Sequence, residues 1–302
     1  MRRLRLYAKL MGGTISVWRS KMFFDPFLVV FSFGVGILGA MLGGVQTFIC
    51  TGFAGIVVYT LKAAGVEPTF LGGTVLNTLL LPAIIFNGSA VATAVAARKY
   101  PDKIEGWNIT RSLIFLHDTI IMLVGGLAGS GGYLLFSLLS YIGLPADAGA
   151  VSMIIFGVIV RLTLSNGRKW NPDATLYYRE QGWRYWVFQT VNCLAIASVF
   201  AFILHEAGPE FYGVGFSISA ALLLFDYAGD GQKMPTTHQI TNVVGVALGL
   251  TGGSIPLAIV FALIANHTYL VFAKYFNDNC STHIDPPAVG IAVGTLLLNL
   301  IF

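Results

Sequence analysis

The chain has 302 residues, of which 56% are hydrophobic and only 11% are charged. Soluble domains are on average about 25% charged, so these residues carry too few charges to cover a water-facing surface. This composition excludes an ordinary cytosolic enzyme, a disordered protein and a nucleic-acid-binding module. The 35 glycines are typical of polytopic membrane bundles, in which helices approach one another through small residues. We therefore predict an all-α membrane protein built as a polytopic helical bundle.

The distribution of charge predicts the orientation of this bundle. Six basic residues precede the first acidic residue, Asp25. Residues 1–22 therefore read as a cytoplasmic basic segment, which either rests on the membrane as an amphipathic helix or is a disordered tail. Residues 23–302 form a single predicted transmembrane domain. Because the stretches 98–111 and 161–184 are also basic, we expect both to be cytoplasmic, with the N-terminus on the same side.

Twelve apolar runs follow one another along the chain, and they cover residues 26–44, 46–64, 69–86, 87–98, 112–128, 133–144, 148–164, 185–204, 211–226, 238–250, 254–273 and 286–302. A helix needs about 20 apolar residues to cross a bilayer, and several of these runs are much shorter. We therefore predict about eight to ten crossings together with broken or re-entrant helices. The glycine-rich residues 125–132 are expected not to cross fully, since an additional crossing would place the basic residues 161–184 outside.

Two internal similarities favour a duplicated unit. The sixteen residues HDTIIMLVGGLAGSGG begin at His117, and the sixteen residues HQITNVVGVALGLTGG begin at His238. In addition, Thr237-His238 and Thr282-His283 are each followed, seven residues after the histidine, by GVALG and GIAVG. Sequences rich in glycine and alanine also match by chance. If the repeat is real, residues 26–165 and 185–302 are two related halves, and transporters place their site between such halves.

Polar residues in apolar surroundings indicate where a solute would bind, because ionisable groups are costly in the bilayer. The candidate binding residues lie at two breaks in the apolar pattern and are Thr237, His238, Asn242, Thr282, His283 and Asp285. Their hydroxyl, amide and imidazole groups would bind a small solute, and the histidines would carry protons near neutral pH. Helices beginning near residues 238 and 286 would favour an anion at their N-termini.

A second set of residues consists of candidate pore residues or counterparts in the N-terminal half: His117, Asp118, Asn77 and Asn87. A simpler interpretation of both sets remains open. Thr237, Thr282 and Asp285 would then be ordinary helix N-caps, and the histidines would lie at the headgroups. Likewise, the glycine stripe within residues 34–44 is typical of helix–helix contact.

Two other function classes also remain open. One is a membrane-embedded enzyme, dependent on a metal or on aspartates, whose candidate residues are Asp226, Asp230, His238, Cys280 and His283. The other is an assembly subunit without a site. The sequence contains no HExxH, GxSxG or Walker A motif, and its three cysteines are too few for a four-ligand zinc cluster. We therefore predict that the protein is not an enzyme and uses no cofactor or metal.

The C-terminal third resembles the HPP family of integral membrane proteins. An apolar helix covering residues 213–225 is followed by a break, and then by the run Asn242-Val243-Val244-Gly245. A further span over residues 255–272 leads to the run His283-Ile284-Asp285-Pro286-Pro287-Ala288, in which two residues interrupt the His-Pro-Pro tripeptide of that family. The resemblance implies a membrane transporter or channel, and nitrite-like anion transport is described for some members.

Taken together, these patterns predict a transporter or channel for a small polar solute, with a nitrite-like anion favoured. We expect it to lie in the plasma membrane, of the bacterial inner-membrane type. Its expected partners are the solute, the lipid bilayer and further copies of the same chain in a homo-oligomer. Nucleic acid is not an expected partner.

Overall fold

A computed structural model describes residues 24–165, 167–174, 182–227 and 234–302. Within these ranges the chain is all-α, with ten α-helices, short 3₁₀ and π segments, and no strand. The predicted helical bundle is therefore confirmed as a fold class. The predicted basic segment 1–22 and Asp230 lie outside the described residues.

The helices, in chain order, are α1 Pro26–Leu42, α2 Gly44–Ala63, α3 Pro82–Lys99, α4 Thr119–Tyr141, α5 Ala148–Thr163, α6 Trp183–Ala207, α7 Val214–Leu222, α8 His238–Leu250, α9 Ile255–Phe276 and α10 Pro286–Ile301. A π-helix, Thr69–Val75, precedes α3, and 3₁₀ turns at Ile114–Leu116, Pro209–Phe211 and Leu223–Tyr227 flank α4 and α7.

Local sequence explains where many of these helices begin. The carboxylates of Asp25, Asp118, Asp147 and Asp285 cap α1, α4, α5 and α10, and each accepts a hydrogen bond from a backbone N–H in the first turn. Proline occupies the first turn of α1, α3, α9 and α10, where its missing N–H costs no helical hydrogen bond.

Four helices, α2, α4, α6 and α9, are long and apolar enough to cross a membrane. Three more apolar helices, α1, α5 and α10, have 16 or 17 residues. By contrast, α7 has nine residues and α8 has 13, and neither can cross alone. The described part of the chain is thus a helical membrane bundle that includes broken helices, and the total of eight to ten crossings stays a prediction.

The prediction for residues 125–132 was wrong, because they lie inside α4, which is one continuous helix of 23 residues. Glycine serves close packing here. A β-carbon on Gly132 would lie 2.0 Å from the carbonyl oxygen of Ala83, so α4 rests directly on α3. Since the runs 112–128 and 133–144 join in this one helix, only α4 and α5 separate the two basic stretches. Two crossings, by α4 and α5, would return the chain to the same side without a re-entrant segment. The apolar runs 69–86 and 87–98 are likewise not separate helices, because α3 continues through residues 86 and 87.

The helices pack as two groups. The first consists of α1, α3 and α4, and the second consists of α6, α8, α9 and α10, whose buried side chains form the largest apolar core. The remaining helices join the two groups. Helices α2 and α7 pack along each other, and α2 also contacts α3 while α7 also contacts α8. Helix α5 packs between α3 and α10. The helices of the internal Thr-His similarity start in different registers, because His238 is the first residue of α8 whereas His283 lies three residues before α10.

Candidate functional site

Helices α8 and α10 both pack against the middle of α9 near their N-terminal ends. At the start of α8, Gln239 Nε2 donates a hydrogen bond of 3.0 Å to Asn266 Oδ1, which lies midway along α9. Near the start of α10, Gly290 packs so closely on α9 that a β-carbon would lie 2.5 Å from the Ala265 carbonyl oxygen. Both helices therefore contact the middle of α9 within their first five residues, while the segment before α10 lies beside the end of α9, where the Ile284 N–H donates to Asn277 Oδ1.

His283 lies at the second of these breaks and is 8% exposed. Its Nδ1 is 3.1 Å from the Trp107 carbonyl oxygen, and its Nε2 is 3.3 Å from Asp285 Oδ1. A carbonyl oxygen only accepts hydrogen bonds, so Nδ1 must carry a proton. The Asp285 carboxylate, whose Oδ2 accepts a hydrogen bond from the Ala288 N–H, lies beside the other ring nitrogen. The His283 ring is therefore held between the Trp107 carbonyl and the Asp285 carboxylate.

His238 lies at the first break and is 7% exposed. Its ring packs against Phe48, with centroids 4.6 Å apart, and edge-on against Phe216. Its Nδ1 has no hydrogen-bond partner, and neither has the buried Oδ1 of Asn242, one helical turn later on α8. Buried polar atoms normally have a partner, so this face of α8 carries two unsatisfied groups.

One apolar cluster connects the two breaks. Phe86 packs against the His283 ring, Phe216 packs against the His238 ring, and both phenylalanines contact the same cluster of buried residues. The Asp285 carboxylate also acts electrostatically on His238. The structure therefore gathers His238, Asn242, His283 and Asp285 in one interior region, and their role in binding stays a prediction.

The two threonines of the predicted site differ from these residues. Thr237 precedes α8 and is 8% exposed, but its side chain makes no capping hydrogen bond. Thr282 is 1% exposed, and its hydroxyl oxygen accepts a hydrogen bond of 2.6 Å from Arg161 Nε. Thr282 therefore serves to hold Arg161.

Sequence reasoning missed Arg161 as a site residue. It lies near the end of α5 and is 3% exposed. Its guanidinium also donates to the carbonyl oxygens of Thr282, Phe276 and Lys169. Among the residues that the structure describes, no carboxylate forms an ion pair with it. The sequence signal is the position of Arg161 within the apolar run 148–164. In the predicted topology, this residue is counted in the basic stretch 161–184 instead.

Of the candidate residues in the N-terminal half, Asn87 lies near His283, whereas Asn77, His117 and Asp118 have other surroundings. Asn87 is 2% exposed, donates to the Ala83 carbonyl oxygen and borders a cavity with His283. Asn77 instead donates to the Gly72 carbonyl oxygen beside the π-helix. His117 adopts a left-handed backbone conformation with φ 48° before α4.

Asp118 forms an ion pair at the end of α3. Its carboxylate accepts hydrogen bonds from Lys99 Nζ and, at 2.8 Å, from the Tyr100 hydroxyl, and it also caps α4 through the N–H of Ile120. The hydrogen bonds from Lys99 and Tyr100 lower the pKa of Asp118 to about 2. Its described partners thus belong to the ends of α3 and α4.

Two cavities adjoin the breaks. The smaller, of about 10 Å³, has room for one water molecule and lies between α3, α5, His283 and Asp285. The larger, of about 150 Å³, lies between α2, α7 and α8 and is bordered by Asn242 and Phe216. Metal binding has no comparable support within the described ranges, where no group of three or more His, Cys, Asp or Glu side chains could hold an ion.

Two residues proposed for an enzyme have structural partners. Asp226 Oδ1 accepts a hydrogen bond from the backbone N–H of Met234, and the backbone N–H of the buried Cys280 donates to the Asn277 carbonyl oxygen at 3.1 Å.

Fold and site together define a helical membrane protein with short interrupted helices and buried polar side chains at two helix starts. Residues 181–302, which hold α6 to α10, match the model of DUF7973, a family of unknown function. The match covers less than half of the chain. No curated protein and no solved structure matches the chain.

Proposed function

We propose that the protein is an integral membrane transporter or channel for a small polar solute, with a small anion of the nitrite type favoured. The observation that carries the proposal is the pair of buried, unpartnered atoms His238 Nδ1 and Asn242 Oδ1. A buried polar group without a partner costs about 1–3 kcal/mol. A solute or a water molecule that enters this region would supply the missing hydrogen bonds.

Positive charge near the breaks supports the preference for an anion. The N-termini of α8 and α10 lie inside the bundle, where helix dipoles favour negative charge. The Asp285 carboxylate lies 3.3 Å from His283 Nε2 and caps α10. Arg161 is a buried cation whose described hydrogen-bond acceptors are neutral. The resemblance of the C-terminal third to HPP proteins points in the same direction.

The proposal includes an orientation and an assembly. The basic stretches 98–111 and 161–184 and the N-terminus would face the cytoplasm, in a plasma membrane of the bacterial inner-membrane type. The paired helices α4 and α5 support this arrangement because they return the chain to one side. We also propose that the chain assembles as a homo-oligomer and that its partners are lipid and solute.

Flux into proteoliposomes tests the proposal. Vesicles holding the purified protein should take up nitrite faster than protein-free vesicles of the same lipid. The variant His238→Phe preserves ring packing against Phe48 and Phe216 but removes the ring nitrogens, so nitrite flux should fall at least tenfold. His267→Phe is the matched control, because the His267 ring lies on α9 and stacks on the Trp186 ring of α6. This variant should retain flux. Absence of protein-dependent flux, or full flux in His238→Phe, would contradict the proposal.

A further inference from the structure

The larger cavity has a wall without formal charge. It lies between α2, α7 and α8 and measures about 150 Å³. Apolar groups from Leu76, Pro82, Phe216 and Val246 form much of its surface. No Asp, Glu, Lys, Arg or His belongs to the described residues that line it. A bare ion would therefore be poorly solvated there, because burying a charge without a partner is strongly unfavourable.

The polar part of this wall holds hydrogen-bond acceptors beside the hydroxyls of Tyr59 and Tyr212. Asn242 Oδ1 is buried and has no partner. The hydroxyl of Thr51 already donates to the Leu80 carbonyl oxygen at 3.0 Å, and that of Ser217 points to the Gly213 carbonyl oxygen at 3.5 Å. These two side chains therefore offer oxygen lone pairs to a ligand rather than protons. The vacant acceptor on Asn242 calls for a ligand that donates.

We infer that this cavity binds a small uncharged solute that donates a hydrogen bond to Asn242 Oδ1. The inference rests on the proposed function and gives the chemical form in which the solute is held. A cavity of about 150 Å³ accommodates a molecule of up to roughly the size of benzene. A nitrite- or formate-like anion meets the requirement as its conjugate acid, whose O–H is the donor. A small amide meets the same requirement through its N–H groups.

The position of the cavity connects it to the first helix break. Asn242 is one turn beyond His238 on α8, and Phe216 lines the cavity while its ring edge faces the His238 ring. A solute in the cavity is therefore separated from the interior histidine by a single aromatic side chain. Gly245 also lets α8 lie close to the backbone that precedes α7, since a β-carbon at this position would lie 2.1 Å from the Tyr212 carbonyl oxygen.

Three solutes of similar size distinguish the charged from the uncharged form in proteoliposomes. Urea is an uncharged donor, formate is the anion of a weak acid, and nitrate is the anion of a strong acid. After subtraction of the rate in protein-free vesicles, urea should cross at all pH values. Formate flux should rise about tenfold for each unit that the pH falls from 7 to 5, because the protonated fraction rises in that proportion. Nitrate flux should stay at least tenfold below formate flux at pH 5.

Variants assign this behaviour to the cavity. Asn242→Leu keeps a side chain of similar shape but removes the acceptor, and it should lower urea and formate flux at least tenfold. Asn299→Leu is the matched control, because the Asn299 amide donates to the Thr295 carbonyl oxygen near the end of α10, and it should leave both rates unchanged. Val246→Met fills the cavity from another wall and should lower both rates with Asn242 intact, which covers the case in which Asn242→Leu does not fold.

The outcomes separate this inference from the proposed function. Nitrate flux equal to formate flux, without dependence on pH, would overturn the inference and leave transport standing. Unchanged urea and formate flux in both Asn242→Leu and Val246→Met would also overturn it. Absence of protein-dependent flux for nitrite and for all three probe solutes would contradict both proposals.

Discussion

The backbones of Gly36 on α1 and Gly125 on α4 are in direct contact: a β-carbon on Gly36 would lie 2.1 Å from the Gly125 carbonyl oxygen. Any larger residue at position 36 must push the two helices apart. We therefore expect Gly36→Ala to lower the free energy of unfolding by about 1–3 kcal/mol, the usual range for overpacking. Titration of the purified protein with denaturant in mild detergent measures this change.

Gly34 provides the control for this substitution. A β-carbon there would meet nothing within 4 Å, and alanine favours the helix over glycine by about 1 kcal/mol. Gly34→Ala should therefore leave the stability unchanged or raise it slightly. If both variants lost stability equally, the contact between α1 and α4 would not be the cause.

The buried guanidinium of Arg161 connects α5 to the segments beside α9 and α10. Arg161→Met leaves the acceptors on Thr282 and Phe276 unpaired, at about 1–3 kcal/mol for each group that stays dry. Arg161→Lys restores part of the hydrogen bonding with fewer donors. We expect the melting temperature in detergent to fall in the order arginine, lysine, methionine.

Cys280, which is 3% exposed in the same segment, reports whether that segment loosens. In a Cys50→Ser, Cys193→Ala background it should react slowly with a maleimide when Arg161 is present and several-fold faster in Arg161→Met. Equal labelling rates would show that Arg161 does not hold this segment in place.

The ion pair of Asp118 predicts a defined pH dependence. Because Lys99 and Tyr100 lower the pKa of Asp118 to about 2, the pair stabilises the fold at any pH above the ordinary carboxyl pKa of 3.8. That contribution is lost as the pH falls from there towards 2. The melting temperature of the unmodified chain should therefore exceed that of Lys99→Met by a constant amount between pH 7 and pH 5, and the difference should shrink below pH 4.

Asp118→Asn is the control for this titration. Its amide oxygen still caps α4, but the side chain has no proton to gain. The difference between Asp118→Asn with and without Lys99→Met should not depend on pH. A constant difference between the unmodified chain and Lys99→Met down to pH 3 would contradict the lowered pKa.

The joining of two apolar runs into α4 predicts the sidedness of the loops. Lys103 and Arg168 are exposed and are separated by α4 and α5, whereas Glu206 lies at the far end of α6. In a chain without its native cysteines, Lys103→Cys and Arg168→Cys should react with an impermeant maleimide from the same side. Glu206→Cys should react from the opposite side. Labelling of positions 103 and 168 from opposite sides would mean that an odd number of crossings separates them.

Features that depend on neighbouring residues were predictable from the sequence. Asp285 followed by two prolines indicated the start of α10, and the structure has that start and that cap. His238 and His283 are buried, at 7% and 8% exposure, and their role in binding a solute stays a prediction. The start of α10 was predictable because the capping carboxylate and the prolines of its first turn are neighbours in the sequence.

Features that depend on distant partners were not predictable. Gly125 indicated a broken helix until its contact with Gly36 was known, because a glycine either interrupts a helix or brings two helices together. In the same way, Arg161 resembled a loop charge until its bonds to Thr282, 121 residues further along the chain, were known. Sequence spacing alone contains neither partner.

The hydrogen bonds of Arg161 also limit how the interior can move. One side chain joins α5 to Phe276 at the end of α9 and to Thr282 just ahead of α10. A displacement of the segment before α10 would therefore either break these hydrogen bonds or move α5 and the end of α9 with it. Motion of α10 relative to α8, or of α5 relative to α3 and α4, does not require these hydrogen bonds to break.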